Sequence, residues 1–161
     1  MPKKKTLKVK VFDAALPKPQ YMTKGAVAFD VYLREKVSIR PHAVELAPVN
    51  IATQIPKGHF AMLAGRSSLH KMGVMMANGI GIVDEDYCGD EDEYKMALLN
   101  FTSKKVSIKA GERIGQVMLI PYTKATIQIV KKLGNPSRGG FGRGWGCGVG
   151  QIHPSPSCPS P

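Results

Sequence analysis

No window of ten or more residues in this 161-residue chain sustains a helical period of apolar side chains. What recurs instead is a short run, alternating or β-branched, closed each time by a turn signal. Leu7–Val11, Phe29–Leu33, Val37–Ile39, Val49–Ile55, Phe60–Ala64, Gly81–Val83, Lys95–Asn100, Val106–Ile108, Arg113–Ile120 and Thr126–Val130 read as strands. Pro41, Pro48, Pro56-Lys57-Gly58, Lys109-Ala110-Gly111 and Pro121 punctuate them, and one short helical turn is expected around Ser67 to Met72. The pattern predicts an all-β fold, a sandwich or barrel with jelly-roll or Greek-key connections. A chain of this length buries roughly 70% of its unfolded surface, so it needs neither disulfides nor a structural metal. Cys88, Cys147 and Cys158, an odd number at no metal-like spacing, read as free thiols.

The end of the chain obeys different rules. Seven of the twelve residues from Gly139 to Gly150 are glycine, and Pro154 to Pro161 contains only Pro, Ser and Cys. Such composition cannot offset its ordering entropy by burying apolar surface, so mobility is expected. Phe141 and Trp145 inside it suggest a clasp that orders over a ligand, against the plainer reading of a flexible tail. The expected organisation is a β domain over 1–134, a glycine-rich arm over 135–150 and a disordered Pro/Ser tail over 151–161.

Charge narrows the partner. Twenty-three Lys+Arg against twelve Asp+Glu give a formal +11, which favours a polyanion such as nucleic acid, a nucleotide or an anionic membrane. No apolar stretch is long enough to span a bilayer, and no apolar signal core follows the N-terminal lysines, so a cytoplasmic protein with no membrane partner is expected. Lys3, Lys4, Lys5, Lys8 and Lys10 crowd the first ten residues, while seven acids fall between Asp84 and Glu93. An acidic island in a basic chain is either a site or a charged hairpin tip in solvent.

Four strings carry chemistry. In Asn78 through Gly89, glycines flank an Ile-Val pair, the signature of a tight hairpin whose backbone can approach and read a flat ligand. Asp84 follows that pair, which is expected to be buried and so to hold the carboxylate rigidly as a water-activating base. The bland alternative is a hairpin with a charged tip. Gly65-Arg66-Ser67-Ser68-Leu69 sets a guanidinium and hydroxyls beside a helix start, a phosphate-binding set or simply a cap. Gly111 through Gln116 is a turn entering a strand, and Arg138 through Gly142 brings a cation and a stacking ring onto a flexible backbone.

In order, these strings resemble the motifs of the trimeric dUTPase family. Gly25 through Val31 is similar to the first motif, Arg66 through Leu69 to the second, Asn78 through Gly89 to the third, Gly111 through Gln116 to the fourth and Arg138 through Gly142 to the fifth. The resemblance covers about residues 7 to 142. It implies a distorted jelly-roll or β-barrel, a homotrimer with shared sites, and Mg2+-assisted hydrolysis of dUTP to dUMP and pyrophosphate. By that implication Asp84 activates the water that attacks the α-phosphorus, and Tyr87 lies under the deoxyribose and excludes a 2′-hydroxyl. Asn78 and the backbone around Gly81 and Val83 read uracil. Arg66, Ser67, Ser68 and Gln116 bind the phosphates, Asp30 organises the metal through water, Arg138 reaches the γ-phosphate, and Phe141 with Gly142 closes over the base.

The chain departs from the family in several places. Gly65 replaces a proline, an enlarged loop runs from Gly89 to Tyr94, Arg138 stands three rather than five residues before Phe141, and Arg143-Gly144 replaces a Ser/Thr. The acids of the enlarged loop are expected to be solvated and not catalytic. Two rivals remain: a dCTP deaminase-like enzyme, which shares the fold and an Arg-Ser-Ser motif, and a regulatory or nucleic-acid-binding module on the same fold. On the dUTPase reading nucleic acid is not required.

Overall fold

The computed structural model describes residues 5–137. They divide into two compact units, one up to Lys124 and one from Ala125 onward. The first holds eleven strands and a single 3-10 turn: β1 (Lys8–Val11), β2 (Phe29–Tyr32), β3 (Val37–Ile39), β4 (Val44–Pro48), β5 (Ile51–Gln54), β6 (His59–Gly65), the turn (Leu69–Met72), β7 (Val74–Met76), β8 (Ile80–Val83), β9 (Lys95–Asn100), β10 (Val106–Ile108) and β11 (Arg113–Pro121). All pairings are antiparallel, in sheets of order β1-β5, β10-β3, β2-β11-β6-β8 and β4-β9-β7. The fold is all-β and jelly-roll-like. No helix among the described residues is long and apolar enough to cross a membrane.

Period-two patterning builds the core. In β9, Met96, Leu98 and Asn100 are buried while Lys95 is exposed and Ala97 and Leu99 are only partly covered. Met96 and Leu98 join Val31, Leu33, Ile39, Val49, Ile51, Leu63, Val74, Ile114 and Val117 in one apolar cluster. The chain changes sheets at Asn50, between β4, which pairs with β9, and β5, which pairs with β1. That corner takes a left-handed backbone, φ 64°, which asparagine adopts more readily than most residues with a side chain. Its Oδ1 accepts from the Asp13 N–H at 2.7 Å, and its Nδ2 donates to the Asp13 carbonyl at 3.0 Å.

Nine of the ten expected runs contain a strand; Thr126–Val130 does not. Its apolar alternation is real, but a strand exists only in a ladder. No described strand pairs with it, and Ile127 and Ile129 are 90% and 96% exposed. Two strands were not expected, β4, whose Pro48 reads as a breaker although it falls at the strand end, and the three-residue β7. The short turn appears as expected and stops at Gly73, φ 79°, where an added Cβ would come within 2.8 Å of the Thr102 methyl.

Asn100 ties loops to this core. Its Nδ2 donates to the carbonyls of Ile39 (3.0 Å), Arg40 (3.1 Å) and Lys104 (2.7 Å), and its Oδ1 accepts from the Thr102 N–H and hydroxyl at 2.9 and 2.8 Å. Asn100→Ala should therefore cost at least about 3 kcal/mol in urea denaturation, since several buried backbone groups lose their partner together. Tyr94 gives a pH-dependent counterpart. Burial pushes its phenol above the ordinary value of 10.0, opposed by the 2.6 Å bond to Thr53 Oγ1. The neutral phenol is favoured by folding, so this contribution is whole below pH 10 and is lost as pH rises from there through the folded value. Tyr94→Phe should be destabilised by about 1 to 3 kcal/mol near neutrality, and should lose less stability than the wild type between pH 9 and the alkaline limit.

Candidate active site

A cavity of about 370 Å³ lies against β8 and the turn that leads into it, lined by Asn78, Gly81, Val83, Asp84 and Tyr87 together with Leu63, Glu93 and Tyr94. Five residues singled out in the sequence thus surround one space, whose size suits a small ligand. The tight hairpin expected over this string is not formed: β7 pairs with β9 and β8 with β6, so the turn at Gly79, φ 73°, carries the chain from one sheet to another, and Asn78 Nδ2 donates to the Ile80 carbonyl at 3.1 Å. Gly81 lies opposite Leu63 of β6, so close that an added Cβ would stand 3.3 Å from the Leu63 Cβ. Among the described residues β8 ends its sheet, which leaves one row of its backbone N–H and C=O groups without a ladder partner and able to pair with a planar ligand.

Asp84 follows β8 directly and is exposed at the cavity rim. The Ile-Val pair before it is not buried as expected. Val83 is half-buried, but Ile82 is 55% exposed, because alternation on this edge strand turns it to the sheet face opposite the core. The Tyr87 N–H donates to the Asp84 carbonyl at 3.2 Å and its hydroxyl to the Glu93 carbonyl at 3.4 Å, while its ring lies 6.3 Å from that of Tyr94.

A second cluster forms where β2, β11 and β6 run side by side. Gln116 stands opposite Asp30 on one side and Ala64 on the other. Its Nε2 donates to the Gly65 carbonyl at 3.4 Å. Arg66 reaches Asp30 Oδ1 with Nε at 3.6 Å, and its guanidinium also donates to the Arg113 carbonyl (3.3 Å) and Ser68 Oγ (3.4 Å). Arg113 bonds Asp30 Oδ2 at 3.0 Å. One buried carboxylate thus organises two partly exposed guanidiniums beside the hydroxyls of Ser67 and Ser68, leaving a net positive, donor-rich surface of the kind phosphate oxygens require. Arg113 was not singled out in the sequence, although it lies inside the Gly111–Gln116 string.

The metal expectation can be tested on the donor set. Each Asp30 oxygen already faces a guanidinium, and no group of three or more His, Cys, Asp or Glu among the described residues could hold an ion. The residues fit a hydrated cation that arrives on a phosphate chain and meets Asp30 through water, as Mg2+ prefers, and do not fit a direct protein cage.

Asp84 and Arg66 sit at opposite ends of β6, with Gly81 opposite Leu63 between them. Val83 pairs with Ala61, which sets Asp84 beside the start of β6, whereas Arg66 follows its last residue. Phe60 to Arg66 is about 20 Å of strand at roughly 3.3 Å per residue, longer than three linked phosphates.

The acidic window is not uniform. Asp90 and Glu91 are exposed and both lie 3.6 Å from Lys10 Nζ, and Asp92 accepts from the Gly89 N–H at 2.6 Å. Glu93 departs from the expected solvated loop: it is 7% exposed and accepts from Arg34 Nε at 2.8 Å, which raises the Arg34 pKa, and from the Asn50 N–H at 3.0 Å. A larger, mostly apolar groove of about 530 Å³ between Lys5–Val9 and Tyr21–Phe29 carries none of the expected site residues. Arg138, Phe141 and Gly142 lie outside the described residues.

A sequence model of the family described as dUTPase matches residues 14–145. The deoxyuridine 5'-triphosphate nucleotidohydrolase of Hydrogenobaculum sp. (strain Y04AAS1) is 40% identical over 134 residues, which are 81% of this chain and 90% of that protein. The crystal structure of dUTPase from Streptococcus mutans is 25% identical with a TM-score of 0.67, covering 73% of this chain and 98% of that one. A Staphylococcus bacteriophage 80alpha dUTPase mutant solved with dUpNHpp shares the fold at 21% identity and a TM-score of 0.76, over 91% of this chain and 100% of that one. By its match to the family over most of its length, and by its identity to relatives across that same region, the chain belongs to the dUTPase family.

Proposed function

We propose that this protein is a dUTP diphosphatase, hydrolysing dUTP to dUMP and pyrophosphate in the cytoplasm and so keeping uracil out of DNA while supplying dUMP. The observation that carries the reading is the convergence of Asn78, Gly81, Val83, Asp84 and Tyr87 on one cavity in a chain of this family. In the proposed reaction the Asp84 carboxylate orients a water and takes its proton as the water oxygen bonds to the α-phosphorus. The bond from that phosphorus to the oxygen bridging to the β-phosphate breaks, and pyrophosphate leaves. Asn78 and the open edge of β8 hold the base, and Tyr87 packs on the sugar. Arg66, Ser67, Ser68 and Gln116, joined by Arg113, neutralise charge on the phosphates. Mg2+, when bound, adds neutralisation of the phosphate oxygens. Arg138 and the segment with Phe141 and Gly142 complete the closure.

The distance between the clusters supports a shared site. Asp84 and Arg66 of one chain are too far apart along β6 to grip one triphosphate, so the phosphate cluster serving a given Asp84 comes from another copy, as a homotrimer provides. The deaminase-like rival needs a glutamate as its working acid. Glu93, which lines the cavity, instead directs its carboxylate to Arg34 and Asn50.

The wild-type protein should release pyrophosphate from dUTP in the presence of Mg2+, and Asp84→Ala should lower kcat about 10²- to 10⁴-fold without change in melting temperature. A wild type that binds DNA and leaves dUTP intact would refute the enzyme in favour of the nucleic-acid-binding module. Truncation before Arg138 should reduce turnover far more than stability, since the buried core residues among those described run from Phe29 to Val117. A matching fall in melting temperature, read by circular dichroism, would show those residues to be structural instead.

A further inference from the structure

Glu93 poses a problem that the reaction does not answer. It stands at the base of an otherwise exposed acidic loop, yet its own carboxylate is withdrawn from water. Burying a charge that only fills space is unfavourable, and an apolar residue of similar volume would serve stability as well or better. What the ion pair provides is a defined position, and the group beside that position is Tyr87.

Resting on the dUTPase reading, we propose that the Glu93–Arg34 pair is a latch that holds the Tyr87 ring rigid against the sugar and thereby sets discrimination against ribonucleotides. Glu93 and Arg34 are positioning residues in this scheme, because neither is required to touch substrate. The Tyr87 hydroxyl donates to the Glu93 carbonyl, and its ring leans on Tyr94 at 36° between planes. Both supports belong to consecutive residues whose place is fixed from behind. Glu93 Oε1 receives Arg34 Nε and the Asn50 N–H together, Tyr94 is fully buried with its hydroxyl on Thr53, and its N–H donates to the Ile51 carbonyl at 2.8 Å. Arg34 is itself held through its N–H on the Pro48 carbonyl at 2.8 Å. The chain of contacts runs from the sheet corner at Asn50, through Glu93, to the wall of the cavity.

Rigidity matters because exclusion of one hydroxyl is a question of about an ångström. A ring that can recede by that much admits ribose, and misplacement on this scale changes rates by up to about 10²-fold. Loosening the latch should therefore affect selectivity before it affects chemistry at Asp84, which directly follows β8 and precedes the loop that carries Glu93.

The test compares full-length wild type, Arg34→Ala, Arg34→Lys and Glu93→Gln in steady-state hydrolysis of dUTP and UTP, with melting temperatures alongside. For Arg34→Ala the ratio of kcat/KM for dUTP over UTP should fall about tenfold or more, with KM for dUTP raised and kcat within about threefold of wild type. Arg34→Lys, which keeps the charge, should recover most of the ratio. Should Arg34→Ala not fold, Glu93→Gln is read in its place, with a smaller fall in the same direction. A folded variant that melts earlier while its ratio stays at the wild-type value overturns the latch and leaves a purely structural pair. A wild type inactive on dUTP overturns the proposed function alone. The latch is then decided by calorimetric affinities for dUMP and UMP under the same criterion, and a protein that binds neither overturns it as well.

Discussion

The placing of β11 between β2 and β6 is the constraint on which the rest of the molecule depends. A slip of one residue would exchange every inward side chain for an outward one; the pairing with β2 takes its one register irregularity between Arg113 and Gly115 and runs regularly from Gly115 to Val117. A Cβ at Gly115 would stand 2.6 Å from Met96 Sδ and 3.1 Å from a Val31 methyl, so a side chain at this point would force Met96 and Val31 to shift. With that register set, Gln116 lies abreast of Asp30 and Ala64, Arg113 falls within reach of Asp30, and β6 carries β8 and its cavity along with it. The phosphate-type cluster and the nucleoside-type cavity are two consequences of one strand alignment.

Much of this was readable before any coordinates, and what was readable has a common physical basis. Local patterns legislate for local structure: period-two alternation in Lys95–Asn100 and glycines at turns such as Gly79 identify elements whose causes lie within a few residues. Residues that a family motif holds at fixed spacing, Asn78 to Tyr87, likewise arrive together around one cavity. What escaped was decided by neighbours distant in the chain. Thr126–Val130 has the alternation of a strand and lacks a described partner, Ile82 is exposed because it lies on the face of β8 opposite the core, and Glu93 is buried because Arg34 and Asn50, many residues earlier, come to meet it. Nothing in a run of Asp and Glu distinguishes the acid that will be desolvated from those that will not.

The charge balance acquires a different meaning once positions are known. Much of the acidic complement is engaged in holding basic groups in place: Lys10 by the loop acids, Arg34 by Glu93, Arg66 and Arg113 by Asp30. In the last case two guanidiniums share one carboxylate, so positive charge is concentrated and oriented there and not simply spread over the surface. Preorganised donors of this kind pay little further ordering entropy when an anion arrives.

The closed turn from Gly89 to Asp92 has a consequence for how such a chain can vary. The Asp92 carboxylate takes the Gly89 N–H and the Asp92 N–H returns to the Gly89 carbonyl at 3.2 Å, so the loop leaves and re-enters the fold at nearly one point. Added residues at its tip would raise only a closure entropy that grows slowly with length, while the buried Glu93 and Tyr94 behind it stay where they are. This stretch is therefore a place where evolution can lengthen, shorten or recharge the surface beside the cavity without reopening the question of what the cavity holds.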